Sequence, residues 1–201
     1  MIPSSTEVMV HVDESCLGNQ FVDRANAGGA AGLVEFWTGG SWIRRDYWVS
    51  EHDTTNNRMA IRSAIEMLNG LVRPCRVRFV SDSQYLVKGM VSWLPSWKAR
   101  GWKRRAGPIE NLDLWKELDL QTQSHDIDWS WTRGHVGHPR NEYADDLAVG
   151  AAQRQDSSNG FKASGFEEWL RKERESKARY LDFSEFAPPE AIWHAERMDS
   201  G

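Results

Sequence analysis

The chain has 201 residues, 40% apolar and 27% charged, with a net charge of −4. That length can bury an ordinary core and still carry an appendage, and the composition excludes fibrous and disordered classes. The acidic balance gives no global sign of a nucleic-acid partner, which leaves only locally placed charge to make one.

In chain order, residues 7–13 (EVMVHVD) read as a strand ending in an acid, with a turn in SCLGN. Residues 30–37 and 42–49 are β-prone runs around TGGS, the pattern of a hairpin. From Thr55 to Leu71 the period changes: Met59, Ile61, Ala64, Ile65, Leu68 and Leu71 share a helical face. Gly70 and Pro74 mark its end. A fourth strand, 76–81, stops at Asp82, and a helix over Gln84–Trp97 is expected to break at Gly89 and Pro95. A basic irregular block follows, then a helix from about Glu110 to Gln123, a strand over 127–132, the GHVGHP loop, and a helix from about Pro139 to Gln153. Three strands followed by alternating strands and helices indicate an α/β fold with a mixed sheet.

Residues 1–154 form one expected domain. Residues 155–201 read as a linker (QDSSNG), a charged helix (FEEWLRKERESKARYL) and a tail of unassigned role. Cys16 and Cys75 have no metal-ligand spacing, so a reducing cytoplasm is the expected location. No secretory signal is visible, and no run approaches the roughly 18 to 20 apolar residues of a membrane span. A soluble protein, monomeric rather than oligomeric, is expected.

Asp13 and Asp82 each stand where a strand gives way, and functional groups collect at such edges in open α/β sheets. Asp145 lies on the helix after GHVGHP and can return to the same edge. Three converging carboxylates repel unless a cation shares them, and all-oxygen ligands suit magnesium or manganese.

VDESCLGN, TTNNRM, SDSQYLVKG, the WLPSWKARGWKRR block, NLDLW and RGHVGHPRNEYADDLA occur in the order found in type 1 ribonucleases H, which the chain resembles over about residues 7–153. The resemblance implies a five-stranded mixed sheet flanked by helices, here with a C-terminal helical extension. It also implies two magnesium ions (or manganese) held by an Asp-Glu-Asp-Asp set, and cleavage of the RNA strand in RNA–DNA hybrids to 3′-hydroxyl and 5′-phosphate ends. Asp13 would bridge the ions, Asp145 would complete the one that activates water, and Asp82 the one at the leaving oxygen. His135 matches the mobile-loop histidine, which assists proton movement or product release; His138 reads as structural.

The family's glutamate position is occupied by Ala60, whose methyl group binds no cation. Three explanations stand: an engineered inactive variant, a natural variant that recruits water or another acid, or a natural hybrid binder without chemistry. Glu14 stands where the family has glycine, but strand neighbours point to opposite faces, so it is expected to face away from Asp13. Glu66 lies six residues beyond Ala60, roughly 9 Å along the helix and off its face. Deliberate inactivation fits this sequence pattern best.

Lys98, Arg100, Lys103, Arg104 and Arg105, interleaved with Trp93, Trp97 and Trp102, have the pattern of a phosphate-tracking surface with aromatic contacts. By resemblance this block and Thr55 bind the DNA strand. Asn19, Asn56, Asn57, Gln84 and the backbone at Cys16 would meet the RNA strand, where amides can pair with 2′-hydroxyls. The loop QFVDRANAGG departs from the family's pattern, and Glu14 adds negative charge near the phosphates. The resemblance and Ala60 together imply a hybrid-specific endonuclease present in a disabled form. Its rivals are a natural hybrid-binding protein and an integrase- or resolvase-like nuclease of the same general fold.

Overall fold

The computed structural model of the protein describes residues 6–18, 25–38, 41–134 and 137–183. Its strands are β1 (Thr6–Cys16), β2 (Gly28–Trp37), β3 (Trp42–Glu51), β4 (Cys75–Ser81), β5 (Asp126–Trp131) and β6 (Lys162–Ala163). They form one mixed sheet in the order β5-β4-β1-β2-β3-β6. The first three strands make an antiparallel meander, and β4 and β5 join β1 in parallel. Five strands match the sequence reading. The sixth is a two-residue strand from the C-terminal extension, paired to β3 through Arg45↔Ala163 and Asp46↔Lys162.

Helix α1 (Asn56–Asn69) is capped by Thr55, whose side chain accepts a bond from the Arg58 amide. It is followed by α2 (Gln84–Lys88) and α3 (Leu94–Ala99), with a π-helical turn over Gly89–Trp93 between them. The expected breaks are therefore absorbed rather than made. Pro95 sits in the first turn of α3, where a missing N–H costs nothing. Then come α4 (Leu112–Thr122), α5 (Pro139–Arg154) and α6 (Phe166–Lys177).

The strand period of two sorts the sheet's faces. Val8, Val10 and Val12 of β1 join Val77 and Phe79 of β4 in the main core beneath α1, with Trp115 and Leu118 of α4. The alternate residues of β1 face α5, where His11 stacks on His138 at 5.0 Å between centroids. Helix α5 lies hard against β2, because a Cβ on Gly29 would come within 2.3 Å of the Ala148 carbonyl oxygen. Only glycine permits that approach. A second apolar cluster (Leu33, Tyr143, Phe166, Leu170 and Tyr180) joins α6 and the following turn to α5 and the sheet.

Candidate active site

The parallel ladder between β1 and β4 ends at Val12↔Ser81, while the antiparallel ladder with β2 continues through Asp13↔Ala31 and Glu14↔Ala30 to Cys16↔Gly28. Asp13 and Glu14 thus project past the end of β4, beside the point where Asp82 leaves it. Asp13, Glu14 and Asp82 each bring a carboxylate oxygen within 4.8 Å of the others.

This corrects the expectation that Glu14 faces away. The strand continues straight through Glu14, so no turn reverses it. The rule of opposite faces holds between paired strands. At an edge where one neighbour has ended, the longer glutamate side chain can reach round to the space its neighbour occupies. Ser83, the N-cap of α2, gives Glu14 a hydrogen bond, and the Ser83 amide in turn donates to Ser81 Oγ at 3.0 Å.

Asp82 is fixed by its surroundings. The Trp131 indole N–H donates to its carbonyl oxygen at 3.0 Å, and Gly134 lies so close that a Cβ there would be 2.2 Å from Asp82 Oδ2. Asn141 of α5 donates from Nδ2 to Asp13 Oδ2 at 3.1 Å, and the Glu14 amide donates to Asp13 Oδ1 at 2.8 Å. Asp145 is half-buried on the same helix and adds its repulsion at Asp13, but it stands outside the tight group of three.

Burial, then the charges of Asp82 and Asp145, push the Asp13 pKa up to about 8 despite its two hydrogen bonds. Burial, with Asp13 and Asp82, holds Glu14 well above the carboxylate range. Glu14 Oε2 and Asn141 Oδ1 are buried without a hydrogen-bond partner among the described residues. Repelling oxygens and orphaned acceptors at one edge are what a hard divalent cation would satisfy, so the residues fit such an ion.

Ala60 is fully buried in the main core under the sheet and offers no ligand atom. Asn56 and Asn57 are exposed in the first turn of α1, and Gln84 is exposed at the start of α2, accepting from Lys88. Cys16 is a half-buried free thiol at the end of β1. Through Cys16↔Gly28 and Gly28↔Glu51 it shares a sheet edge with the approach to α1. Asn19 and His135 lie outside the described residues.

In the basic block, Arg100, Lys103, Arg104 and Arg105 are exposed, while Lys98 is paired with Asp119 at 2.7 Å. Trp97 is a correction: it is buried in the main core against Trp93 and Trp115. Trp93 and Trp102 are half-buried and packed on that core. Trp93, in the π-helical turn, and Trp97, on α3, are four residues apart, a helical spacing that turns both rings toward the core. Sequence reasoning considered Glu14 and set it aside, and passed over Asn141, Gly134 and Trp131. The available signal was the coincidence of a lost acid at position 60 with a gained one beside Asp13.

The fold and acidic edge define a protein of the ribonuclease H-like α/β class, and comparison with known proteins makes that specific. The RNase H family model matches residues 5–153. A ribonuclease H of Stutzerimonas stutzeri is 45% identical over 152 residues, covering 74% of this chain and 95% of that protein. One from Cupriavidus necator is 48% identical over 143 residues, covering 71% and 92%. The crystal structure of LC9-RNase H1, described as a type 1 RNase H with the type 2 active-site motif, superposes with a TM-score of 0.84 at 45% identity, covering 95% of this chain and 92% of that one. The chain belongs to the ribonuclease H family, on its type 1 side.

Proposed function

We propose that this chain is an active endonuclease for the RNA strand of RNA–DNA hybrids, with Asp13, Glu14 and Asp82 as its cation-holding acids and Asn141 and Asp145 supporting them from α5. The observation that carries the reading is the Glu14 carboxylate, grouped with Asp13 and Asp82 and bearing an unpartnered buried oxygen. The acid missing at position 60 is supplied from the strand, so Ala60 need not mark a disabled enzyme. A similar protein described as combining type 1 character with another active-site motif supports such a rearrangement.

Magnesium or manganese bound there, as one ion or a pair, would stabilise the charge that develops on the scissile phosphate and its attacking and leaving oxygens. The chain's own residues prepare for this. Asn141 orients Asp13 by its amide, and Trp131 and the bare Cα of Gly134 fix where Asp82 points. Asn56, Asn57, Gln84 and the Cys16 backbone present polar groups to the minor-groove side of an RNA strand. Arg100, Lys103, Arg104 and Arg105 supply exposed cations for the phosphates of the DNA strand. The assignment of His135 to proton movement or product release remains part of this proposal by family resemblance.

Labelled hybrid incubated with the purified protein and magnesium tests it. Cleavage confined to the RNA strand, lost in Glu14→Gln and retained without any change at position 60, is the expected result. An inert protein that gains cleavage with Ala60→Glu would overturn the reading in favour of a disabled form.

A further inference from the structure

The C-terminal extension touches α5 in a pattern that its packing alone does not require. Asn141, which bonds Asp13, is followed by Glu142, and Asp145 is followed by Asp146. Both following residues are gripped by the extension. Glu142 Oε2 accepts from the Tyr180 hydroxyl at 2.8 Å and also from the Arg179 guanidinium. Its other oxygen, Oε1, accepts from the Gly137 amide at 3.1 Å, at the turn that leads into α5. Asp146 Oδ2 accepts from the Trp169 indole N–H of α6 at 2.6 Å.

The gripping residues are themselves held. Arg179 is bound on its other side by Glu173 at 3.2 Å, a residue almost wholly buried on α6. Arg174 ties the Tyr180 and Phe183 carbonyl oxygens at 3.1 and 2.6 Å. The Phe183 ring lies 4.9 Å from the Arg140 guanidinium and edge-on to His138, the N-cap of α5. The root of the extension is anchored too: the Gly165 amide donates to Asp46 and Tyr143, whose hydroxyl donates to Asp46 at 2.6 Å. The family model ends at residue 153, so this brace lies outside the part of the chain that defines the family.

We propose that residues 165–183 are a brace that sets the position of α5 at the active edge, with Arg179 and Tyr180 acting through Glu142 as positioning residues for Asn141 and Asp145. The proposal rests on the nuclease reading for its kinetic consequence but not for its structural one. Two donors on one oxygen of Glu142 fix that carboxylate, and its second oxygen then fixes the turn at Gly137. A helix so held keeps Asn141 at bonding distance from Asp13, where a shift on the order of 1 Å can cost about a hundredfold in rate.

The test is the full-length double variant Arg179→Gln/Tyr180→Phe, chosen because it keeps the Tyr180 ring stacked on Trp169. Arg171→Ala, on the exposed side of α6 and bonded only to α6 carboxylates among the described residues, is the control. The double variant should remain folded, exchange its Gly137 amide at least tenfold faster, and lose about tenfold in kcat with KM within twofold. Arg171→Ala should change none of these. Unchanged Gly137 exchange overturns the brace, as does a kcat loss shared by the control in proportion to its loss of Tm. If the unaltered protein cleaves no hybrid, the proposed function fails, and the exchange measurement alone still decides whether the brace exists.

Discussion

Two groups of carboxylates lie close to α5, and they are built in opposite ways. Glu35 of β2 is fully buried and answered on both oxygens, by Arg44 at 2.8 Å and by Arg140 at 2.5 Å. At the end of β1, Asp13, Glu14 and Asp82 converge instead on one another, and Glu14 Oε2 and the neighbouring Asn141 Oδ1 have no hydrogen-bond partner among the described residues. The first arrangement is electrically closed and serves architecture, joining β2, β3 and α5. The second is open, and a set of converging, partly buried acids is relieved by protons or an added cation. The contrast separates charge that holds the fold from charge that waits for a ligand.

The contrast is broken most severely by Glu14→Gln. Removing one acid from the open group should lower hybrid cleavage by roughly a hundred- to a thousandfold, while thermal stability above neutral pH stays level or rises because repulsion is relieved. A loss of both activity and stability would mean that Glu14 is structural. The opposite profile is expected of Glu35→Gln, which removes the carboxylate that Arg140 faces and one of the two that hold Arg44. It should cost about 3–5 kcal/mol in a denaturant titration, with residual activity tracking the folded fraction.

Gly134→Ala sharpens the comparison by geometry. The added methyl must displace the Asp82 carboxylate, so kcat should fall by about tenfold or more with little change in Tm. Position 60 gives the matching negative result. Ala60→Glu buries a carboxylate among core residues, so it should lower stability without raising cleavage.

A smaller effect distinguishes the two groups by pH. The folded-state pKa of Asp13 is raised to about 8, above its ordinary 3.8. Its contribution to stability is therefore fully present below about pH 4 and is lost as pH rises towards 8. In cation-free protein, Tm should decline across that window, and magnesium or manganese should restore more of it at pH 8 than at pH 6. A cation effect that does not grow with pH would contradict binding at the open group. Smallest of all, Lys103→Ala and Arg105→Ala should weaken hybrid binding and each reduce its salt slope by about one, leaving single-turnover cleavage at saturation intact.

Much of the fold was legible because its signals are local. Alternation in EVMVHVD, the helical face from Met59 to Leu68 and the proline opening α5 each state their element within one segment. Errors arose where a residue's direction depended on something distant in sequence. Trp97 carries the same neighbours in sequence as a nucleic-acid contact would, but Trp115 on α4 makes its side of α3 an interior. The extension's charged helix has no role assigned by its sequence, which is equally compatible with packing on the domain, binding a partner or being dispensable. Its Phe166, Leu170 and Tyr180 gain meaning only from Leu33 and Tyr143, which belong to β2 and α5.

The sequence by itself determined the family, the mixed α/β sheet and two of the acids at its edge, because periodicity and strand-end placement are properties of a short stretch of backbone. Tertiary structure alone decided that Glu14 joins those acids and that Asn141 reaches Asp13. Those outcomes depend on where β4 stops relative to β1 and how closely α5 lies on Gly29. Such relations are set by the packing of whole elements, and no local pattern of residues encodes them.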